Sequence, residues 1–257
     1  MAWCDLHYWS QPLLKQTAAY VLLPESEEPG PYPVLYLLHG LSDDHTIWMR
    51  RTSIERYVSS LPIVVVMPDG GRGFYVDAVD GCAYDSALAI DLVSLIERTF
   101  PVRAERGGRA VAGLSMGGYG AVRMALAHPE RFCAAVSHSG ALAVGRERLD
   151  GEDALASELR RIFGSEPAGG PNDLFALASR VAPELRPALR IDCGVDDFLI
   201  EHNRAFHAHL EALGFPHEYE EFPGEHEWGY WDERVREAIA FVCAEMAAPR
   251  DQRAPEP

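Results

Sequence analysis

The chain has 257 residues, 47% of them hydrophobic, which is enough for one sizeable core, so a single domain is expected over residues 1–247. The formal net charge of −16 argues against nucleic acid and anionic membrane surfaces as partners. The sequence contains no apolar run of membrane-spanning length and no signal peptide pattern, and its five cysteines are widely spaced. These features predict a cytoplasmic protein with reduced thiols and no membrane span.

Strands and helices alternate along the predicted chain. Short apolar runs predict strands at residues 17–23, 34–38, 63–67, 110–112, 132–137, 189–193 and 218–222. Helical periodicity and breaking residues predict helices at residues 87–100, 119–127, 203–213 and 231–247. This alternation predicts an α/β fold with a mostly parallel central sheet and helices on both faces.

The motif with the most chemical content is Gly113-Leu114-Ser115-Met116-Gly117, which joins a predicted strand to a predicted helix. In this G-x-S-x-G pattern a serine stands at the tip of a strained turn, and the positions two before and two after it must lack side chains. The alternative is a glycine-rich helix N-terminus that serves packing or binds phosphate. Because the motif lacks the lysine of a phosphate-binding loop, we interpret Ser115 as a nucleophile.

A serine nucleophile needs a histidine base and a carboxylate that orients it, and in this arrangement the acid comes next along the chain. Asp196 and Asp197 follow the predicted strand at 189–193, where loops at the carboxyl edge of the sheet carry catalytic groups. Either aspartate could instead cap the helix that begins near Phe198. The residues alone therefore leave both as candidates for the acid.

The histidines that follow these aspartates are candidates for the base, and they are His202, His207, His209, His217 and His226. Only His226 follows the end of a predicted strand, which directs its loop to the carboxyl edge of the sheet. A zinc site at His202, His207 and His209 is the alternative for the first three, but their spacing fits no standard metal signature. A solvated helix face is favoured there, and neither a metal nor a cofactor is expected.

The oxyanion of an acyl-transfer intermediate requires two backbone N–H donors. One is expected from Met116, the residue after the nucleophile. The other is expected from the loop that begins His39-Gly40-Leu41, directly after the strand at 34–38. Gly40 permits close approach of the backbone, and Leu41 N–H is the predicted second donor.

These stretches resemble the putative esterase family of the α/β-hydrolases, which includes esterase D (S-formylglutathione hydrolase), tributyrin esterases and mycolyltransferases. The resemblance rests on L-L-H-G-L-S-D-D-H-T-I-W, V-V-M-P-D-G-G-R-G-F-Y, G-L-S-M-G-G-Y-G-A, C-G-V-D-D-F-L and P-G-E-H-E-W-G-Y-W, within residues 34–231. It implies an α/β-hydrolase fold, with Ser115 as nucleophile and His226 as base. It favours Asp197 over Asp196 as the acid, and it implies that the aromatics Trp48 and Trp228 lie beside the substrate.

The expected activity is hydrolysis of a small-molecule acyl ester or thioester with short acyl groups. An S-formylglutathione hydrolase is the alternative enzyme, and a catalytically silent hydrolase that binds a ligand is the alternative of another class. Residues 141–183 are rich in charge, glycine and proline, with a helix predicted at 152–163, and are interpreted as a cap-like insertion over the active site. A homodimer is the generic expectation, and the polar tail at 248–257 is expected to fray.

Overall fold

The computed structural model describes residues 1–25 and 29–247, so the predicted tail at 248–257 lies outside the described residues. One eight-stranded sheet has the order β1-β2-β4-β3-β5-β6-β7-β8. Its strands are β1 (Ala2–Ser10), β2 (Lys15–Leu23), β3 (Val34–Leu38), β4 (Val64–Pro68), β5 (Arg109–Leu114), β6 (Ala134–His138), β7 (Ala188–Gly194) and β8 (His217–Phe222). Strands β1 and β2 are antiparallel to each other and β2 is antiparallel to β4, whereas the other neighbouring pairs are parallel.

Helices cover both faces of this sheet. They are α1 (Ile47–Arg51), α2 (Ile54–Val58), α3 (Val93–Thr99), α4 (Met116–Ala127), α5 (Ala154–Phe163), α6 (Leu174–Arg180), α7 (Ile200–Ala212) and α8 (Trp228–Ala247), and a π-helical segment, Ser86–Leu92, runs directly into α3. The predicted mostly parallel α/β architecture is confirmed. Across residues 1–25 and 29–247, no helix combines the length and the apolar character that crossing a bilayer would require.

Two hydrophobic cores lie on opposite faces of the sheet, and the central strand β3 contributes side chains to both. Because successive side chains of a strand point to opposite faces, Val34 and Tyr36 join the core beneath the π-helical segment, α4 and α7. Leu35 and Leu37 join the other core, beneath α1, α2 and α8. Strand β3 is therefore buried on both faces, which is why it reads as a continuous apolar run in the sequence.

Four elements were not predicted, namely β1, α1, α2 and α6. The short helices α1 and α2 have five residues each, too few to show helical periodicity. Strand β1 lies at the edge of the sheet and alternates buried and exposed side chains, with Asp5 and His7 on the exposed face. Charged and polar residues at alternate positions interrupt the apolar signal that identified the inner strands.

The segment 141–183 lies between β6 and β7 and contains α5 and α6. Phe163 at the end of α5 packs edge-on against Phe74 and Tyr119, with ring centroids 5.5 and 5.8 Å apart. Arg72 donates two hydrogen bonds to the carboxylate of Glu158 on α5, at 2.7 and 2.6 Å. These contacts attach α5 both to the core and to the loop after β4.

Candidate active site

Ser115 stands between β5 and α4 with φ of 54° and ψ of −117°, a conformation that is strained for any residue with a side chain. The flanking glycines make the turn sterically allowed. A Cβ on Gly113 would lie 2.5 Å from the backbone of Gly117, and a Cβ on Gly117 would lie 2.5 Å from the carbonyl oxygen of Leu38. The sequence pattern and the geometry of a nucleophile elbow therefore agree at these positions.

The structure brings Ser115, His226 and Asp197 together although 111 and 29 positions separate them from one another in sequence. His226 Nε2 lies 3.0 Å from Ser115 Oγ. His226 Nδ1 lies 2.8 Å from Asp197 Oδ2, a carboxylate that can only accept a hydrogen bond when ionised. The imidazole follows β8 and is partly accessible, whereas the carboxylate is fully buried. This order of contacts allows a proton to pass from the hydroxyl to the imidazole while the carboxylate fixes the tautomer.

Asp197 combines the two roles, orienting acid and turn-closing acceptor, that the sequence analysis considered for both Asp196 and Asp197. Its Oδ1 accepts the backbone N–H of Leu199 at 2.8 Å, which closes the turn before α7, while its Oδ2 contacts His226. Burial raises the pKa of Asp197, but hydrogen bonds from His226, Leu199 N–H and Ser139 outweigh it and hold the pKa below its usual range. Asp196 is exposed and contributes its backbone N–H to Gly224 O.

The loop after β3 lies against the nucleophile. A Cβ on Gly40 would meet the side chain of Leu114 at 2.9 Å and Ser115 Cβ at 3.9 Å, so the backbone of this loop approaches the elbow closely. Met116 is the first residue of α4, whose first N–H groups have no partner within the helix. The N–H groups of Leu41 and Met116, the predicted oxyanion donors, therefore belong to backbone segments that meet at Ser115.

His39 holds this loop in place. Gly70 N–H lies 2.9 Å from His39 Nε2, and His39 Nδ1 lies 2.7 Å from Gly40 O, so the ring joins the loop after β3 to the loop after β4. Tyr75 donates its hydroxyl to His39 O at 2.9 Å. The sequence analysis named His39 only as part of the loop, and these three contacts assign it a supporting role behind the predicted donor.

Trp48 and Trp228, the two tryptophans predicted to bind substrate, differ in how deeply they are buried. Trp48 is only 1% exposed and donates its N–H to Leu38 O at 3.1 Å, so it is a core residue that cannot face a substrate, contrary to the expectation. Trp228 is half-buried and packs edge-on against Trp48, with ring centroids 5.3 Å apart. Trp48 therefore supports Trp228 from behind.

Phe198 is an aromatic side chain that the sequence analysis missed at this site. It is 74% exposed, and its ring centroid lies 4.5 Å from that of His226. The ring therefore forms one wall beside the imidazole of His226, the predicted base. One feature of the sequence could have indicated this position, because Phe198 directly follows Asp197, the predicted acid.

The other histidine candidates lie away from Ser115. His202 contacts Glu147 at 3.0 Å, His207 and His217 contact each other at 2.8 Å, and His209 contacts Phe175 O at 2.9 Å. Over the part of the chain that the structure describes, no group of three or more His, Cys, Asp or Glu side chains is arranged to hold a metal ion.

A second histidine–aspartate pair lies beneath the site and was missed because His138 precedes the acid in the chain. His138 Nδ1 lies 2.7 Å from Asp192 Oδ2, and both side chains are completely buried. Tyr230 donates its hydroxyl to the other oxygen of Asp192 at 2.9 Å. The backbone carbonyl of His138 accepts the N–H of Ser115 at 2.9 Å, so this pair supports the floor of the elbow.

Comparisons with known proteins match this architecture. The family model described as Putative esterase matches residues 10–242. An acetyl esterase of Caldicellulosiruptor saccharolyticus is 28% identical over 94% of this chain and 98% of its own. The Staphylococcus aureus fluorophosphonate-binding serine hydrolase FphF, solved with substrate bound, is 31% identical with a TM-score of 0.86, again over 94% of this chain and 98% of that one.

The S-formylglutathione hydrolase FrmB from S. aureus, solved as the apoenzyme, has a TM-score of 0.83 and 31% identity over the same shares of the two chains. The fold and the matched residues include all the elements that form the site at Ser115. The chain belongs to the putative esterase family of α/β-hydrolases and is a carboxylic ester hydrolase.

Proposed function

We propose that this chain is a serine carboxylesterase that hydrolyses short-chain acyl esters through an acyl-enzyme intermediate, with residues 1–247 acting as one hydrolase domain. The observation that carries the proposal is the continuous contact from Ser115 Oγ through His226 to Asp197, at 3.0 and 2.8 Å. The chain's membership of an esterase family supports the reaction class.

In the first half of the reaction, Ser115 Oγ attacks the acyl carbonyl carbon while His226 Nε2 accepts the hydroxyl proton. Asp197 stabilises the resulting imidazolium, and the N–H groups of Leu41 and Met116 bind the negatively charged oxygen. The intermediate then collapses, the C–O bond to the leaving alcohol breaks, and His226 returns the proton to that alcohol. Water repeats the sequence on the acyl-enzyme, with His226 again acting first as base and then as acid.

The test is turnover of p-nitrophenyl acetate by the Ser115→Ala variant, with labelling by a fluorophosphonate probe as an independent readout. Wild type is expected to react with the probe and hydrolyse the ester, and the variant is expected to do neither while keeping its circular dichroism spectrum. Unchanged turnover in a folded Ser115→Ala variant would overturn the mechanism. Wild type that neither reacts with the probe nor turns over esters would favour the silent, ligand-binding alternative.

We infer that the acyl pocket suits groups of about two to four carbons. Leu41 follows a single glycine in the predicted oxyanion loop, and we take Leu41 and Trp228 to restrict the space beside Ser115. Trp48 acts indirectly, because it fixes the position of Trp228. Residues 141–183 act as a cap that is attached through the Arg72–Glu158 pair.

A p-nitrophenyl ester series tests this pocket size. A methylene that fits an apolar pocket gains roughly 0.8 kcal/mol, whereas one that does not fit costs packing strain. The kcat/KM values are therefore expected to peak at acetate to butyrate and fall thereafter. Faster turnover of the octanoate than of the butyrate, measured below the micellar concentration, would contradict the small pocket.

An S-formylglutathione hydrolase is the second candidate, since FrmB from S. aureus shares 31% identity and a TM-score of 0.83 with this chain. The same mechanism cleaves a thioester, with glutathione thiol as the leaving group. Comparing kcat/KM for S-formylglutathione with that for phenyl acetate separates the two. We favour the ester, and a preference of tenfold or more for the thioester would reverse the assignment.

We also assign the protein to the cytoplasm. Its five cysteines all lie within the described residues and form no disulfide, and Cys133 and Cys193 are buried. This is the pattern of a protein that folds in a reducing compartment. Fractionation of cells that express the full chain tests the assignment, and recovery outside the cytoplasm would refute it.

A further inference from the structure

We propose that this protein forms a two-fold symmetric dimer in which β1 pairs antiparallel with β1 of a second copy. Strand β1 has nine residues and lies at the end of the sheet, and within residues 1–25 and 29–247 its only neighbouring strand is β2. An edge strand offers a row of N–H and C=O groups to another chain. The inference does not depend on which ester the active site hydrolyses.

The two edges of the sheet differ in how well they resist such pairing. The opposite edge strand, β8, carries Glu218, Glu220 and Glu221 within six residues, and this charge disfavours a second copy. Strand β1 has neither proline nor lysine, and Asp5 is its only acidic residue. Apart from the β1–β2 ladder, no backbone hydrogen bond involves residues 2–10 in the described part of the chain.

The exposed face of β1 is apolar at both ends. Trp3 is 54% exposed and Trp9 is 52% exposed, whereas Tyr8 and Ser10 on the other face are buried. Between the tryptophans lie Asp5 and His7, which also point to solvent and contact each other at 3.1 Å. Trp3 packs edge-on against Tyr20, with ring centroids 4.9 Å apart, and Trp9 donates its indole N–H to Gln11 Oε1 at 3.2 Å, yet about half of each tryptophan stays exposed at the free edge of the sheet.

The second copy is the partner that this strand fits, because the sequence W-C-D-L-H-Y-W is nearly symmetric about Leu6. In the antiparallel register that places residue i opposite residue 12 − i, Trp3 of each copy faces Trp9 of the other. Asp5 of each copy then faces His7 of the other, so a carboxylate meets an imidazole twice. Side chains directly opposite in a sheet have Cβ atoms about 4.5–5.5 Å apart, which is within contact distance for both pairs.

Pairing in this register joins two eight-stranded sheets into one and brings Trp3 of each copy beside Trp9 of the other on the same face. Strand β5, which ends at the elbow, is separated from β1 by β2, β4 and β3, so the active site stays open. A closed two-fold contact uses the same patch on both copies and does not propagate into fibres.

Sedimentation velocity of the full chain over about 1–100 μM tests whether the dimer forms through β1. Wild type is expected to dimerise, and Trp9→Lys is expected to raise the dissociation constant at least tenfold. Val79→Lys is the matched control, since Val79 is 72% exposed and lies outside β1. Both variants should keep wild-type esterase activity, which shows that they are folded.

A charge exchange tests the register itself. Asp5→His leaves only imidazoles at the centre of the contact, and His7→Asp leaves only carboxylates, so each variant alone is expected to dimerise weakly at pH 6. An equimolar mixture restores opposite charges and is expected to recover the dimer. A monomeric wild type at 100 μM, a dimer insensitive to Trp9→Lys, or a mixture no stronger than its components would overturn the proposal.

Discussion

The fold contains two histidine–aspartate pairs, an outer pair (His226 and Asp197) and an inner pair (His138 and Asp192), with nearly equal Nδ1–Oδ2 distances. His226 Nδ1 lies 2.8 Å from Asp197 Oδ2, and His138 Nδ1 lies 2.7 Å from Asp192 Oδ2. They differ in what the second ring nitrogen meets. Nε2 of His226 faces Ser115 Oγ at 3.0 Å, whereas Nε2 of His138 is buried with no hydrogen-bond partner within the residues that the structure describes.

The difference shows that a histidine–carboxylate contact is not by itself a catalytic unit. A base must reach both the nucleophile and the substrate, and the partly exposed His226 meets the first condition in this structure. The completely buried His138 and Asp192 can contribute only through packing and hydrogen bonding. We therefore expect the outer pair, His226 and Asp197, to control the rate of ester hydrolysis. The inner pair, His138 and Asp192, should control the free energy of unfolding.

The largest expected effect comes from the outer pair. Asp197→Asn should lower kcat on p-nitrophenyl acetate by up to about 10⁴-fold, because an amide stabilises the wrong tautomer of His226. The matched control is Asp196→Asn, which changes the exposed neighbouring carboxylate and should leave kcat near wild type. If Asp196→Asn lost as much activity and Asp197→Asn kept it, the acid would have to be reassigned.

A substitution in the inner pair, His138 and Asp192, should lower stability and leave kcat nearly unchanged. Asp192→Ala leaves His138 and Tyr230 buried without their acceptor, and the free energy of unfolding should fall by roughly 3 kcal/mol. Urea denaturation followed by tryptophan fluorescence measures this change, with the exposed Asp196→Ala as the control. The folded fraction of the variant should keep a kcat within a few-fold of wild type. A stable variant with a 10³-fold loss of kcat would give Asp192 a catalytic role.

The sequence predicted the outer pair and missed the inner one for a physical reason. The fold requires the order nucleophile, acid, histidine, and this rule together with strand ends led from Ser115 to Asp197 and His226. His138 lies before the acid, so the rule passed over it. Only the parallel pairing of β6 with β7 shows that His138 and Asp192 are cross-strand neighbours.

Burial explains the other differences between prediction and structure. The inner strand β3 was predicted because apolar residues cover both of its faces, whereas the edge strand β1 was missed because its exposed face is mixed. Motif position placed Trp48 beside the substrate, but no local pattern distinguishes a core tryptophan from a pocket tryptophan. Phe198 was missed as part of the site wall for the converse reason, since its exposure depends on the packing of the loop after β7.

The pH dependence of the rate also separates the two pairs. Only a neutral imidazole accepts the Ser115 proton, so kcat/KM should rise across the range from about pH 5 to 8 in which histidines titrate. On the acid side it should fall about tenfold per pH unit. Hydrogen bonds hold the pKa of Asp197 below its usual range, so this carboxylate stays ionised there and adds no second step. A flat profile with rate-limiting chemistry would exclude His226 as the base, and Asp192→Asn should leave the profile unchanged.

The smallest expected effect concerns Ser139, which connects the two pairs. Its backbone N–H bonds to Asp192 O at 2.8 Å, Trp231 donates its indole N–H to the Ser139 hydroxyl at 3.2 Å, and that hydroxyl contributes to the lowered pKa of Asp197. Ser139 therefore contacts Asp197 of the outer pair through its side chain and Asp192 of the inner pair through its backbone.

Ser139→Ala removes one hydrogen bond to a charged carboxylate, worth about 1.5 kcal/mol, and should lower kcat roughly tenfold with little change in KM. A merely structural role would lower the unfolding free energy without this split between kcat and KM. Full activity in a folded Ser139→Ala variant would show that His226 and Leu199 N–H suffice to hold Asp197.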